Sequence, residues 1–289
     1  MSRLLTVAAA QTGSVSSVDM RSMLPAALRM IEQAAAKGAR ILTFCELFLS
    51  PFFPNRLDEN FDRYFVATDD PLVREIVAAA TACGLALVLP IGERAPAGRF
   101  NSALVFDAVG RHVGTYRKTH IPAYFPNKKA GGTGSFERMY FTPGGSLPTF
   151  DVDGVRIGIQ ICNDRLYPEG SRVLALAGAE ILFMPICYSV YSDPEHRNAA
   201  WELVLRTRAY ENGVFVVAAN KVGDEGVRHH LGRSMIVDPK GNVLAEASRE
   251  SEELLVATID LDLASIQLKA IPWWRDRRPD LYIPLGAIS

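Results

Sequence analysis

Reactive side chains follow three apolar stretches of the sequence. The stretch ARILTF runs into Cys45 and Glu46, VGTYR runs into Lys118, and VRIGIQI runs into Cys162. Polar groups at the carboxyl ends of strands can converge at one edge of an αβ sheet without disturbing its core. We therefore take Glu46, Lys118 and Cys162 as the first candidates for a shared catalytic site.

A thiol, a carboxylate and an ammonium group together suit nucleophilic attack on a carbonyl carbon. Cys162 precedes an expected helix, whose N-terminal amides would favour the thiolate. Because an unperturbed cysteine has a pKa of about 8.5, it needs an activating group at neutral pH. Glu46 could take the thiol proton, and Lys118 could offset the charge of a tetrahedral oxyanion. Taken singly, each has an ordinary alternative: a packed core thiol, a surface acid and a solvated strand end.

The other three cysteines, Cys45, Cys83 and Cys187, are assigned to packing. The cysteines are far apart and form no CxxC pair, which favours reduced thiols and a cytoplasmic location. The start, MSRLLTVAAAQT, superficially resembles a secretion signal, but its apolar run is short and ends at Gln11. We expect a buried first strand there. No stretch approaches the roughly 20 apolar residues of a membrane span.

The composition favours a small-molecule partner. The chain has 289 residues, 48% of them hydrophobic, and its 31 lysines and arginines nearly balance 32 aspartates and glutamates. No global field therefore favours nucleic acid or a membrane surface, and RDRR at 275–278 is one small basic cluster. The glycine-rich AGGTGSF lacks the GK[ST] of a phosphate loop, and we expect a mobile loop over the site. Without HExxH or CxxC pairs, we expect no metal and no cofactor.

The order of elements predicts one domain, 1–289, built from two similar αβ halves. Helices are expected at about 20–36 and 72–83 in the first half and at about 198–212 in the second. Hairpins are expected to turn at Gly110 and within HLGRSMIVDPKGNVLAEA at PKGN. The pairs GARILTF with GAEILFM, and GLALVLP with GVFVVAA, occupy matching places. The tail from about 272 to 289 matches neither half, and we expect it in an intersubunit contact.

FCELF, YRKTHIP and ICNDRLYPE, in this order, resemble the three motif regions of the nitrilase superfamily of carbon-nitrogen hydrolases. The resemblance extends over essentially the whole chain. It implies a four-layer α-β-β-α sandwich assembled as a dimer or tetramer. It also implies Glu46 as general base and acid, Lys118 as oxyanion stabiliser and Cys162 as nucleophile. Glu137 in FERMYFTPGG matches a second glutamate that orients the lysine or the substrate, and the backbone N–H of Asn163 matches the other oxyanion donor.

Within the superfamily, ICNDR is similar to the N-carbamoyl-D-amino acid amidohydrolases, in which an arginine after Cys-Asn-Asp holds the substrate carboxylate. Arg165 matches that arginine, and a guanidinium fork suits a carboxylate. The chain departs from the pattern at Leu166, where a second arginine is common, and in GSFE, which lacks a histidine. His120 in KTHIP matches the motif, although packing beside the lysine is an equal account.

Tyr188, Tyr191 and His196 suggest a pocket with aromatic walls, or ordinary packing. The predicted substrate-binding residues are Asn163, Arg165, His120 and Tyr188. The predicted reaction is hydrolysis of an N-carbamoyl amino acid through a thioester-type intermediate. A carbamoylputrescine-type amidase or a small aliphatic or ω-amidase is the alternative. A non-catalytic scaffold or ligand sensor is the alternative of another class.

Overall fold

A computed structural model describes residues 2–122, 135–190, 194–226, 228–270, 272 and 274–286. Within these ranges the α-helices are α1 Leu24–Ala36, α2 Pro71–Ala82, α3 Glu137–Tyr140, α4 Pro168–Leu176, α5 Pro194–Asn212 and α6 Asp262–Ala270. The strands are β1 Leu4–Gln11, β2 Ile41–Phe44, β3 Ala86–Ala95, β4 Gly98–Phe106, β5 His112–Arg117, β6 Thr149–Val152, β7 Val155–Ile159, β8 Ile181–Ile186, β9 Ser189–Val190, β10 Phe215–Asn220, β11 Val222–Glu225, β12 Arg228–Leu231, β13 Met235–Val237, β14 Val243–Glu246 and β15 Glu253–Asp260.

Two six-stranded sheets form the centre of the fold. Their orders are β15-β1-β2-β3-β4-β5 and β14-β13-β10-β8-β7-β6. The sheets face each other where β1 contacts β10, and small side chains on β1, including Ala8 and Ala10, are fully buried there. Helices α1 and α2 pack together and contact the first sheet, while α5 contacts the second. This is the α-β-β-α sandwich that the sequence predicted.

The two halves repeat the same pairing pattern. In the first sheet β1, β2 and β3 are parallel, and β15, β4 and β5 are antiparallel to their neighbours. In the second sheet β7, β8 and β10 are parallel, and β6, β13 and β14 are antiparallel. The sequence pairs GARILTF with GAEILFM and GLALVLP with GVFVVAA thus correspond to β2 with β8 and β3 with β10. The predicted similarity of the halves is confirmed.

Local details differ from the sequence expectations in two places. The residues HLGR, which were expected in the PKGN hairpin, do not belong to it. Gly232 and Arg233 have positive φ angles of 65° and 54°, so the chain changes direction there before β13 begins. The preceding strand, β12, instead pairs with β11 and β9 in a small third sheet. Helix α5 also begins at Pro194, one turn earlier than the expected start near Asn198.

The described part of the tail contains two short 3-10 turns, Pro279–Leu281 and Ile283–Gly286. Leu281 and Ile283 there are exposed. The expected intersubunit role of the tail stays a prediction, as do oligomeric state and cytoplasmic location. Among the described helices, none has both the length and the apolar character to cross a bilayer. The four cysteines are free thiols.

Candidate active site

The ends of β2 and β5 bring a buried ion-pair cluster together. Glu46 follows β2, Lys118 follows β5, and both are fully buried. Lys118 Nζ donates to Glu46 Oε1 at 2.9 Å and to Glu137 Oε2 at 2.5 Å. Glu137, at the start of α3, also accepts from Ser135 Oγ at 3.1 Å. Three of the predicted catalytic residues therefore share one cluster, with a single ammonium group between two carboxylates.

The charges of this cluster shape one another. Burial by itself would lower the pKa of Lys118, but the carboxylates of Glu137 and Glu46 outweigh it and hold that pKa well above its ordinary value. Burial raises the pKa of Glu137; Lys118 opposes the rise and the negative charge of Glu46 adds to it, so the net shift is upward. Lys118 is accordingly a fixed positive charge throughout the neutral pH range.

The two carboxylate oxygens of Glu46 differ in their hydrogen bonding. Its Oε1 accepts from Lys118 and, at 2.7 Å, from Asn101 Nδ2 on β4. Its Oε2 is buried and has no hydrogen-bond partner among the described residues. A buried acceptor without a partner is costly unless it serves a reaction or a ligand. The arrangement leaves one carboxylate oxygen of Glu46 available to receive a proton.

Cys162 lies in a strained turn after β7. Its φ is 48°, a left-handed conformation that non-glycine residues seldom adopt and that clusters at functional sites. The residues Cys162–Leu166 form a 3-10 turn, and α4 begins only at Pro168. The expectation that an α-helix N-terminus stabilises the thiolate is therefore wrong, because the positive φ turns the chain before α4 starts.

The resting thiol is protonated. Burial, together with the nearby charge of Glu46, raises the pKa of Cys162 to about 12, although the cations of Lys118 and Arg165 oppose the rise. A nucleophilic role for Cys162 at neutral pH would therefore require a base that removes the thiol proton. This raised pKa is in line with the expectation that the thiol of Cys162 needs an activating group at neutral pH.

Asp164 ties the Cys162 turn to the segment that carries Lys118. Its carboxylate is fully buried. Oδ2 accepts from Tyr116 Oη at 2.7 Å and Ile161 N at 2.9 Å, and Oδ1 accepts from His120 N at 2.9 Å. Since these donors come from both strand ends, one side chain fixes the Cys162 turn relative to Lys118.

Arg165 belongs to the same turn and contacts Cys162. Only 3% of Arg165 is exposed. Its Nη1 donates to the carbonyl oxygen of Cys162 at 2.7 Å and lies 3.9 Å from Cys162 Sγ, and its Cζ sits 4.7 Å from the ring centroid of Tyr188. Among the described residues, its buried Nε has no hydrogen-bond partner, and its guanidinium forms no salt bridge with a carboxylate. The guanidinium therefore carries a buried charge that those residues do not neutralise.

A cavity of about 380 Å³ opens beside the thiol. The predicted site residues Cys162, Asn163, Arg165, Tyr188 and Glu137 are among the residues that line it. Its further described lining residues are Phe52, Pro122, Ser135, Leu166, Cys187, Ser189, His196, Arg197, Ala200 and Arg228.

His120 is absent from this lining; its ring stacks on Tyr167 with 4.0 Å between centroids, and its Nδ1 lies 2.9 Å from Asp164 Oδ1. The structure thus supports the packing account of His120. The predicted mobile loop at 130–134 and Tyr191 lie outside the described residues. No cluster of His, Cys, Asp and Glu suited to a metal ion occurs in the described ranges.

Comparison with known proteins identifies the family of the chain. Residues 6–266 match the carbon-nitrogen hydrolase family. The chain belongs to that family. It is 34% identical to an N-carbamoylputrescine amidase of Arabidopsis thaliana, covering 91% of this chain and 90% of the relative. It is 33% identical to a citrullinase of Francisella tularensis, covering 87% and 88%.

Among solved structures, a carbon-nitrogen hydrolase from Helicobacter pylori superposes with a TM-score of 0.86 at 29% identity, covering 98% of both chains. The protein is thus a carbon-nitrogen hydrolase of the nitrilase superfamily, an enzyme class whose named relatives include amidases.

Three residues of this carbon-nitrogen hydrolase site escaped the sequence reasoning. Asn101 holds Glu46 through a side-chain hydrogen bond, and Asp164 holds the Cys162 turn in the same way. Cys187, assigned to packing, lines the same cavity as Cys162. Cys187 directly follows β8, so the rule that selected Glu46 and Lys118, a polar residue at a strand end, would have found it.

Proposed function

We propose that this carbon-nitrogen hydrolase cleaves small ureido or amide compounds that carry a carboxylate, with N-carbamoyl α-amino acids as the leading class. The observation that carries the proposal is Arg165, a buried guanidinium beside the thiol without a carboxylate partner among the described residues. A buried charge of this kind is costly unless a ligand pairs with it. A substrate carboxylate would supply the missing charge through a charge-assisted hydrogen bond.

The proposed reaction uses Cys162 as nucleophile. Glu46 takes the thiol proton as sulfur attacks the carbonyl carbon, and Lys118 stabilises the resulting oxyanion together with the backbone N–H of Asn163. Glu46 then gives the proton to the departing nitrogen, which leaves a thioester-type intermediate. Water, activated by Glu46, hydrolyses it. From a carbamoyl substrate the product is a carbamic acid, which decomposes to CO2 and ammonia.

The position of Arg165 supports a carboxylate close to the scissile carbon. Its Nη1 lies only 3.9 Å from Cys162 Sγ. In an N-carbamoyl α-amino acid the carboxylate carbon is three bonds from the carbamoyl carbon, whereas in citrulline six bonds separate the two. A short substrate can therefore place its carboxylate near Arg165 while its carbamoyl carbon lies at the sulfur.

A cationic substrate fits the described cavity less well. N-carbamoylputrescine, named for the plant relatives, would bring an ammonium group into a cavity whose wall contains the buried guanidinium of Arg165. Glu137 is the only acid among the described lining residues, and its charge is matched by Lys118. Like charges in a shared cavity repel, so we place carbamoylputrescine-type activity second and neutral small amides with it.

Ammonia release from a matched panel tests the proposal. The panel contains N-carbamoyl-D- and L-amino acids, their uncharged α-amides, citrulline and N-carbamoylputrescine, with Cys162→Ala as the inactive control. Loss of a charge-assisted hydrogen bond costs about 1.5–3 kcal/mol, so Arg165→Met should lower kcat/KM for the acids by roughly 10- to 150-fold. It should change kcat/KM for the neutral amides by less than about threefold.

Arg172→Met, an arginine of α4 outside the cavity, is the matched control. Equal losses on acids and neutral amides would reject the carboxylate role of Arg165. Turnover of N-carbamoylputrescine alone would reject the substrate class and keep the thiol mechanism.

A further inference from the structure

A second buried ion-pair cluster lies away from Lys118, at the ends of β10 and β11. Lys221 Nζ donates to Glu225 Oε1 at 2.8 Å, and His230 Nε2 lies 3.2 Å from Glu225 Oε2. Lys221 and His230 are fully buried and Glu225 is 8% exposed. None of these three residues touches the reacting groups described above. A buried ion pair contributes little net stability by itself. The contacts that this pair makes with the rest of the chain therefore indicate its role.

Those contacts are with one buried segment. Residues 46–54, which we call the strap, are all buried and contain no α-helix or β-strand. Buried irregular backbone must find hydrogen-bond partners outside regular structure. Lys221 Nζ donates to the carbonyl oxygen of Ser50 at 2.9 Å, and the amide of Phe52 donates to Glu225 Oε2 at 2.7 Å. The ion pair thus binds one carbonyl and one amide in the middle of the strap.

The two ends of the strap set the two carboxylates around Lys118. The strap begins with Glu46 itself, which accepts from Lys118 at 2.9 Å. It ends at Pro54, whose carbonyl oxygen accepts from the amide of Phe136 at 2.7 Å, one residue before Glu137. Movement of the middle of the strap would therefore displace Glu46 directly and Glu137 through Phe136.

The cluster also reaches the cavity wall. Phe52, whose amide Glu225 holds, lines the cavity. Cys187 lines it as well, and its Sγ lies 3.8 Å from His230 Nδ1. Glu225 Oε1 further accepts from the amide of Val15 at 2.8 Å, which anchors the cluster to the loop after β1. Contacts from several segments thus fix the Lys221–Glu225 ion pair, so the pair can in turn hold the strap in place.

We propose that Lys221 and Glu225 are positioning residues for C–N hydrolysis: by holding the middle of the strap, they fix the spacing of Glu46 and Glu137 about Lys118. This inference rests on the catalytic roles proposed above for Glu46 and Lys118. Misplacement of a catalytic group by about 1 Å can reduce turnover roughly 100-fold. The expected effect of loosening the strap is therefore larger on kcat than on KM, since Arg165 keeps its own contacts and the strap contributes Phe52 to the cavity wall.

The test uses Glu225→Gln, with Asp224→Asn as the matched control. Asp224 is the adjacent residue of the same hairpin, and it pairs with His229 at the surface at 2.7 Å. Glu225→Gln should lower kcat by roughly 10- to 100-fold and leave KM within about threefold, while Asp224→Asn behaves as the wild type. Wild-type kcat in a folded Glu225→Gln protein would overturn the proposal, as would a change confined to KM.

A double variant separates positioning from folding. Glu225→Gln leaves Lys221 as an unpaired buried charge, which can prevent folding. Lys221→Met with Glu225→Gln removes both charges, so the protein should fold while kcat stays at least about 10-fold low. Full kcat in the double variant would overturn the proposal.

If neither variant folds, amide exchange of the wild-type strap decides. Exchange as fast as in the exposed turn at Arg249 and Glu250 would overturn the proposal, and protection close to that of β10 would support it. A kcat loss in Cys162→Ala but none in Glu225→Gln would reject this inference alone. Activity retained in Cys162→Ala would reject the mechanism on which it rests.

Discussion

Lys118→Met should expose the electrostatic design of the candidate site. In the wild type, one ammonium group lies 2.9 Å from Glu46 and 2.5 Å from Glu137, in a region where Lys118 has no exposed surface. Methionine fills most of the volume of the lysine side chain, so the packing loss is small. The variant instead leaves two buried carboxylates without their shared cation. Removal of one partner from a buried ion pair costs about 3–5 kcal/mol of unfolding free energy.

The loss should depend on pH, with a sign that the cluster determines. Glu137 already has a raised pKa, because burial and Glu46 outweigh Lys118. Without Lys118 that pKa rises further, so the folded variant holds a proton that the unfolded chain releases. Stability then falls as pH rises from the unfolded pKa through the folded pKa, by up to about 1.4 kcal/mol per pH unit. The variant should therefore be less stable at a pH above this raised pKa of Glu137 than at a pH below it.

Urea unfolding followed by tryptophan fluorescence, at one fixed protein concentration, measures both effects. Lys118→Met combined with Glu137→Gln removes one of the two carboxylates and should recover part of the stability and flatten the pH dependence. Both variants should lack turnover, because the proposed oxyanion charge is absent from each. A stability loss below about 1 kcal/mol that does not change with pH would refute the description of the cluster as two carboxylates held by one cation.

Three shorter predictions address the nucleophile and its supports. Burial raises the pKa of Cys162 to about 12, so alkylation of Cys162 by iodoacetamide in the free enzyme should still accelerate above about pH 9. Peptide mass spectrometry measures this rate. A rate that stops rising below about pH 8 would contradict a protonated resting thiol. Cys162→Ala should keep its thermal midpoint and lose ammonia release, whereas Cys187→Ala, in the same cavity, should retain turnover. An equal loss in both variants would mean that a change in the cavity, and not the missing Cys162 thiol, abolishes turnover. Asp164→Asn should lower unfolding free energy by about 2–4 kcal/mol, because an amide cannot accept at both of its polar ends; an unchanged urea midpoint would count against the bridging role.

The sequence predicted the frame of the site because the frame depends on local patterns. Apolar runs that end in a charged residue mark strand ends, and Glu46 and Lys118 were found in this way. The repeated order of helix and strand predicted two similar halves, since β2 and β8 have nearly the same local sequence, and the family resemblance implied that their sheets pair in a sandwich. The expected α-helix directly after Cys162 was wrong for a local reason as well: the positive φ of Cys162 starts a 3-10 turn, which the hydrophobic periodicity of the sequence does not indicate.

The supporting residues could not be predicted because their partners are remote in sequence. Asn101 meets Glu46 across 55 positions, and Glu225 meets Phe52 across 173. Nothing in the neighbouring residues of either side chain indicates that contact. Asp164 is an intermediate case, since it lies within ICNDR, yet its bond to Tyr116 spans 48 positions and depends on the adjacency of two strand ends.

The charges around Cys162 in the free enzyme indicate at which step the thiol loses its proton. Arg165 is one of two cations that oppose the raised pKa of this thiol. In the proposed complex the substrate carboxylate neutralises Arg165, so the help that Arg165 gives to the thiolate weakens at the moment when the substrate binds. A thiolate formed before attack would therefore become less stable in the complex than in the free enzyme. The unsatisfied oxygen of Glu46 offers the remaining route, in which proton transfer accompanies the attack of sulfur on carbon and Lys118 stabilises the charge that moves to oxygen.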